Sequence, residues 1–167
     1  MLKGLLVSDI HSGSVYSVAM PKAKTDKEGG TIGLNLLQKN VLWPRWKEMC
    51  ARGPFDFVVV NGDLVDGVNK KSRGLGVWTP SLDLQADNSA NLLNKISVKP
   101  DAPFFILGGT PYHVDENPGI DQLVSEKLGK LGKNSKYKGL EHILQYGKQK
   151  FHFSHWKPYR SMSINSI

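Results

Sequence analysis

Cysteine is almost missing from this chain. Cys50 is the only one in 167 residues, which excludes an internal disulfide framework and is compatible with a reducing compartment. Long hydrophobic runs are missing too. None approaches the ~20 residues that a membrane-spanning helix needs. The N-terminus, Met-Leu-Lys-Gly and then a short apolar run, lacks the apolar region and small-residue cleavage site of a signal peptide. These absences lead to the expectation of a soluble, cytoplasmic protein with no membrane partner. Internal repeats and low-complexity tracts are also absent. Acid is scarce in the later part of the chain, where the bases from Lys127 to Arg160 face one carboxylate, Glu141. With a net charge of +7 and a pI near 9.5, that stretch reads either as a nucleic-acid-binding surface or as a solvated, solubilising face. The apolar fraction of 40% is enough for a core, and 22% charged residues do not suggest general disorder. The length is that of one domain.

The pattern along the chain is that of an α/β protein. Leu5-Leu6-Val7 reads as a central strand, and Phe55 to Asn61 as a buried parallel strand, being β-branched, aromatic and nearly continuous. Phe104 to Leu107 is a third buried strand. Residues 12 to 33 and 67 to 78 read as loops over the strand ends. Apolar residues from Leu34 to Trp46 follow a helical period that Pro44 interrupts, predicting a kink or two abutting helices. Thr79-Pro80 resembles a cap followed by proline at the first helical position, opening a helix to about Ile96. A further helix is expected from about Gly119 to Leu128. Leu140 to Tyr146 and Lys150 to Ser154, with Gly147-Lys148 between them, predict a hairpin that makes the central sheet mixed.

Two of the expected strands end in hard metal ligands. Asp9-Ile10-His11 follows the first, and Gly62-Asp63-Leu64-Val65-Asp66 follows the second. Side chains at the carboxyl ends of neighbouring parallel strands converge, and open α/β sheets bind ligands there. Two carboxylates and an imidazole suit Mn²⁺, Fe or Zn²⁺ better than Ca²⁺. Gly109-Thr110-Pro111-Tyr112-His113 follows the third strand, and Phe153-Ser154-His155 closes the hairpin.

In order and spacing these blocks resemble the calcineurin-like metallophosphoesterases over roughly residues 3 to 155. The third block departs from the family's Gly-Asn-His and is similar to a subset seen in phage and prophage sequences. The family's final Gly-His-x-His block has no counterpart. A single domain over residues 1–167 is therefore expected to be incomplete at its C-terminus, with the second half of the family's sandwich reduced. The missing ligands leave three readings open: a truncated chain, a site completed by another subunit, or a reduced site.

The resemblance implies a metal-dependent hydrolase of phosphate mono- or diesters, including nucleic acid or nucleotides. It implies two divalent cations, Mn²⁺ first, with Fe, Zn²⁺ or Mg²⁺ as alternatives. Asp9 and His11 would bind the first cation, Asp63 would bridge both, and His155 would bind the second. Thr110 stands in place of a ligating Asn, although a turn role before Pro111 fits it equally. His113 is the candidate general acid for the leaving oxygen. Asp66 reads as structural, holding the Asp63 loop through side-chain to backbone bonds. His142 reads as an ordinary strand residue, His152 as a core or surface residue, and Trp43, Trp46 and Trp78 as packing rather than base-stacking surfaces. The alternative of a different class is a catalytically weak or inactive relative that binds nucleic acid through residues 127–160.

Overall fold

In a computed structural model, residues 2–68, 75–110 and 119–155 are described. His113 lies outside them. Four strands form one sheet in the order β1 (Gly4–Val7), β2 (Phe57–Asn61), β3 (Pro103–Leu107) and β4 (Asn134–Tyr137), all neighbours parallel. The first three are the apolar runs expected to be strands. β4 is a polar edge strand with no sequence signal of burial, and pairing with β3 is what extends it.

Two faces of the sheet have different partners, set by the alternation of side chains along each strand. Val58, Val60, Phe104 and Ile106 point into the main core together with Val7. Onto that face pack α1 (Trp43–Ala51) through Trp46 and Cys50, α2 (Leu82–Asn94) through Ala86, Ala90 and Leu93, and α3 (Ile120–Lys130) through Val124 and Leu128. Val59, Phe105 and Leu107 point the other way, against Leu144 and Phe153. Those two residues belong to an antiparallel hairpin of β5 (Glu141–Tyr146) and β6 (Gln149–Ser154), with Gly147 in the left-handed region at its turn.

The hairpin is present, but the expectation of a mixed central sheet is corrected. β5 and β6 form their own two-stranded sheet, and the four-stranded sheet is parallel throughout. The reason lies in the hairpin's amphipathic face. His142, Leu144, Phe151 and Phe153 alternate onto one side, and burying that side requires it to lie flat on the sheet rather than to extend its edge. The His142 ring stacks at a tilt on Phe105, with ring centres 4.6 Å apart.

Helix boundaries show two further local effects. Ahead of Pro44, residues Gln38–Leu42 widen into a π turn before α1 begins. Proline cannot donate to the preceding turn and its ring crowds the carbonyl four residues back, so a wider turn relieves both. α2 begins two residues after the Thr79-Pro80 position expected for it. Ser81 is its cap, accepting from the Leu84 N–H at 3.4 Å, while Thr79 Oγ1 accepts from Ser81 N at 3.3 Å in the turn before it. Among the described residues no helix is long and apolar enough to cross a membrane.

Cys50 sits in the core, and burial pushes its thiol up to about 11. Because the thiolate is the reactive form, the native protein should fail to react with a disulfide reagent at pH 8. The thiol should titrate fully once denaturant is added. Rapid stoichiometric reaction of the folded chain would place Cys50 outside the core.

Candidate metal centre

The parallel sheet puts the carboxyl ends of β1, β2 and β3 at one edge, and the loops that leave them are bonded to one another. Asp9 N donates to Gly62 O at 3.1 Å, His11 N to Asp63 O at 2.9 Å, and Ser12 N to Leu64 O at 3.0 Å. Asp66 N returns a bond to Ser12 O at 2.9 Å. These bonds continue the β1–β2 pairing past the strands in a strained form. Asp9, His11 and Asp63 all have positive φ, at 54°, 47° and 51°. For a residue other than glycine this conformation is uncommon and costs about 1–3 kcal/mol, and it persists where surrounding contacts over-determine it. Here it concentrates in the residues that carry the candidate ligands.

Asp63 is buried and lies at the centre of the cluster. Thr110 N donates to its Oδ1 at 2.7 Å, and the Thr110 hydroxyl lies 3.1 and 3.2 Å from its two oxygens. Gly109 permits that approach. A Cβ there would fall 2.1 Å from Asp63 Oδ1 and 2.2 Å from Asp63 N. Gly62 does the same for His155, since its φ is +76° and a Cβ would sit 2.6 Å from the imidazole Cγ.

His155 comes from the hairpin layer, just past β6. Its Nδ1 is hydrogen-bonded to the carbonyl oxygen of Asn61. A carbonyl only accepts, so Nδ1 carries a proton and Nε2 is the ring nitrogen that faces the carboxylates. Nε2 lies 3.0 Å from Asp63 Oδ2 and 4.0 Å from Asp9 Oδ1. The two carboxylates gathered in this way repel unless a proton or a metal cation lies among them. One donor atom from each of Asp9, Asp63 and His155 falls within 4.8 Å of the others. Ligands about 2.0–2.2 Å from one cation stand at most about 4.4 Å apart, so small rotations suffice. Two carboxylates and an imidazole held by a backbone carbonyl fit a divalent transition cation.

His11 is placed beside this trio. Its Nε2 lies 3.7 Å from Asp9 Oδ1, and its Nδ1 lies 3.3 Å from Asp66 Oδ1. The Asp66 carboxylate raises the His11 imidazole above its ordinary range; burial opposes this, and the charges of Asp63, Asp66 and Asp9 add to it. Asp66 faces the ring nitrogen turned away from Asp9. Thr110 is brought to the site, but its contacts are those of a donor to Asp63.

One residue here gave no signal in the sequence. Asp121, in the first turn of α3, is buried. Its Oδ2 accepts from Gly109 N at 2.8 Å and its Oδ1 from Leu64 N at 3.3 Å. It therefore ties the loop after β2 to the loop after β3. Burial raises its carboxyl above the usual range, the two N–H bonds oppose this, and the Asp63 charge adds to the rise. An acid at a helix start reads locally as a response to the helix dipole, so only the tertiary contacts reveal this role.

The basic stretch is partly engaged within the chain. Lys127 Nζ lies 2.8 Å from Asp83 and 2.7 Å from Asp87. Lys133 Nζ donates to Ile96 O at 3.3 Å. No protein-family model matches the chain, and no curated protein matches it.

Proposed function

We propose that the chain is a metal-dependent phosphoesterase of the calcineurin-like kind, hydrolysing phosphate mono- or diesters. The observation that carries this reading is the convergence of Asp9, Asp63 and His155 at the carboxyl edge of a parallel sheet, with Nε2 of His155 turned toward both carboxylates. Asp9, Asp63 and His155 would hold a divalent cation, with His11 as a further donor beside Asp9 where a second cation would share the site. Bound there, such cations neutralise phosphoryl charge and acidify water toward neutral pH.

The chain's own groups prepare the site. Thr110 fixes the Asp63 carboxylate through its N–H and hydroxyl. Asn61 fixes the tautomer of His155, and Asp66 turns the His11 ring. Asp121 holds the two loops in register. Preorganisation of this kind is what a site needs in order to stabilise charge as it develops rather than after rearrangement.

Purified protein stripped with a chelator should hydrolyse bis(p-nitrophenyl) phosphate only after Mn²⁺ is restored. Equal turnover in excess chelator, or none with Mn²⁺, Fe²⁺, Zn²⁺ or Mg²⁺, would overturn the proposal.

A further inference from the structure

The hairpin covers only part of the sheet face on which it lies. His142 of β5 stacks on Phe105 of β3, and Phe153 of β6 packs into the small cluster around Val59 of β2. β1 lies beyond this cover. Leu6 pairs with Val59 and points to the same face, yet it is 58% exposed. Between the two layers runs an apolar groove of about 340 Å³. Leu2, Gly4 and Phe57 line it from the sheet side, and Tyr146, Phe151 and Phe153 from the hairpin. Tyr146 and Phe151 are 54% and 44% exposed, so this wall also lacks a cover.

The backbone beside the groove is unpaired as well. β6 bonds only to β5, and β1 only to β2. An edge strand presents a row of free N–H and C=O groups. The side chains of β6 alternate along that edge. Gln149, Phe151 and Phe153 line the groove, and Lys150 and His152 turn to the other face. A strand laid on the edge would place every second side chain in the groove. The others would stand opposite Lys150 and His152, because directly opposed residues share a face. Glu141, the only acid of the hairpin, is 3.0 Å from His152, whereas Lys148 and Lys150 are exposed.

We infer that the β6 edge and this groove receive an extended segment of a partner protein in which acidic and apolar residues alternate. Strand addition of this kind takes affinity from main-chain bonds and specificity from pockets for alternate side chains. The apolar residues would cover Leu6, Phe57 and Phe151, and the acidic ones would face Lys150, with Lys148 beside it. The same charges oppose a second copy of this chain. Antiparallel pairing of two β6 strands sets Lys150 against Lys150, His152 or Ser154, none of them an acid, and like charges directly opposite one another destabilise a strand pair.

The test is an NMR titration of acetyl-Glu-Ile-Glu-Val-Glu-Ile-Glu-amide into the full chain, with the peptide that carries Lys in place of Glu as control. The acidic peptide should bind saturably and protect from exchange the β6 amides turned away from β5. The basic peptide should do neither. Leu6→Ser, at an exposed position, should weaken the acidic peptide about tenfold, as loss of one buried aliphatic contact does. Lys150→Glu should lose the acidic peptide and gain the basic one. No binding of the acidic peptide to the parent, equal binding of the two peptides, or parent-like affinity in both variants would overturn the inference. Protection of those β6 amides in the unbound monomer would give the edge to the chain's own residues. A dimer in sedimentation that Leu6→Ser disperses would give it to a second copy. Either outcome overturns the partner segment.

Discussion

Asp63→Asn should reduce Mn²⁺-dependent hydrolysis by more than about a hundredfold while leaving the fold intact. Asparagine is the informative substitution because it keeps what the backbone needs. It tolerates the positive φ that Asp63 adopts at 51°. Its carbonyl can still accept from Thr110 N, and its amide can donate to His155 Nε2, which lies 3.0 Å from Asp63 Oδ2. What is lost is the negative charge at the centre of the cluster. Groups that only orient a ligand typically cost about 10–100-fold when removed, so the loss in Asp66→Asn, acting through His11, should fall in that range and the loss in Asp63→Asn should exceed it. If Asp63 merely shaped a turn, the variant would turn over like the parent. A steady-state comparison at saturating Mn²⁺, with circular dichroism to verify folding, distinguishes the outcomes.

Gly109→Ala should have an effect of similar size on activity by a different route, and should also destabilise the protein. The added methyl would meet Asp63 Oδ1 at 2.1 Å and the Asp63 backbone N at 2.2 Å. The carboxylate oxygen could rotate away, but the backbone N cannot, so the Asp63 loop must move. Overpacking of this kind costs about 1–3 kcal/mol, and the displaced carboxylate would no longer face His155. Gly129→Ala is the control. Gly129 lies within α3 and a Cβ there meets nothing within 4 Å, so alanine should raise stability by about 0.5–1 kcal/mol through helix propensity. Urea unfolding midpoints should therefore move in opposite directions. A Gly109→Ala protein as stable and active as the parent would contradict the packing at the site.

Much of this architecture was legible because it rests on local signals. β2 declares itself through Phe57-Val58-Val59-Val60, and the Asp and His that follow β1 and β2 mark the edge where a parallel sheet gathers its ligands. The hairpin was legible from its alternation and its Gly147 turn. Its destination was not, because alternation shows that one face is buried without showing what buries it. β4 escaped notice because Asn134-Ser135-Lys136-Tyr137 has neither alternation nor an apolar run, and an edge strand beside a buried neighbour needs neither. Asp121 escaped because its two bonds reach Gly109 and Leu64, 12 and 57 positions away. The contact of the Asp66 carboxylate with the His11 ring was not legible, since nothing local shows it.

The metal-site reading meets its most direct test in anomalous diffraction from crystals grown with Mn²⁺. An anomalous peak should lie about 2.0–2.3 Å from a carboxylate oxygen of Asp9, a carboxylate oxygen of Asp63 and Nε2 of His155. Manganese bound only elsewhere, or crystals saturated with Mn²⁺ that show no peak among these three side chains, would contradict it.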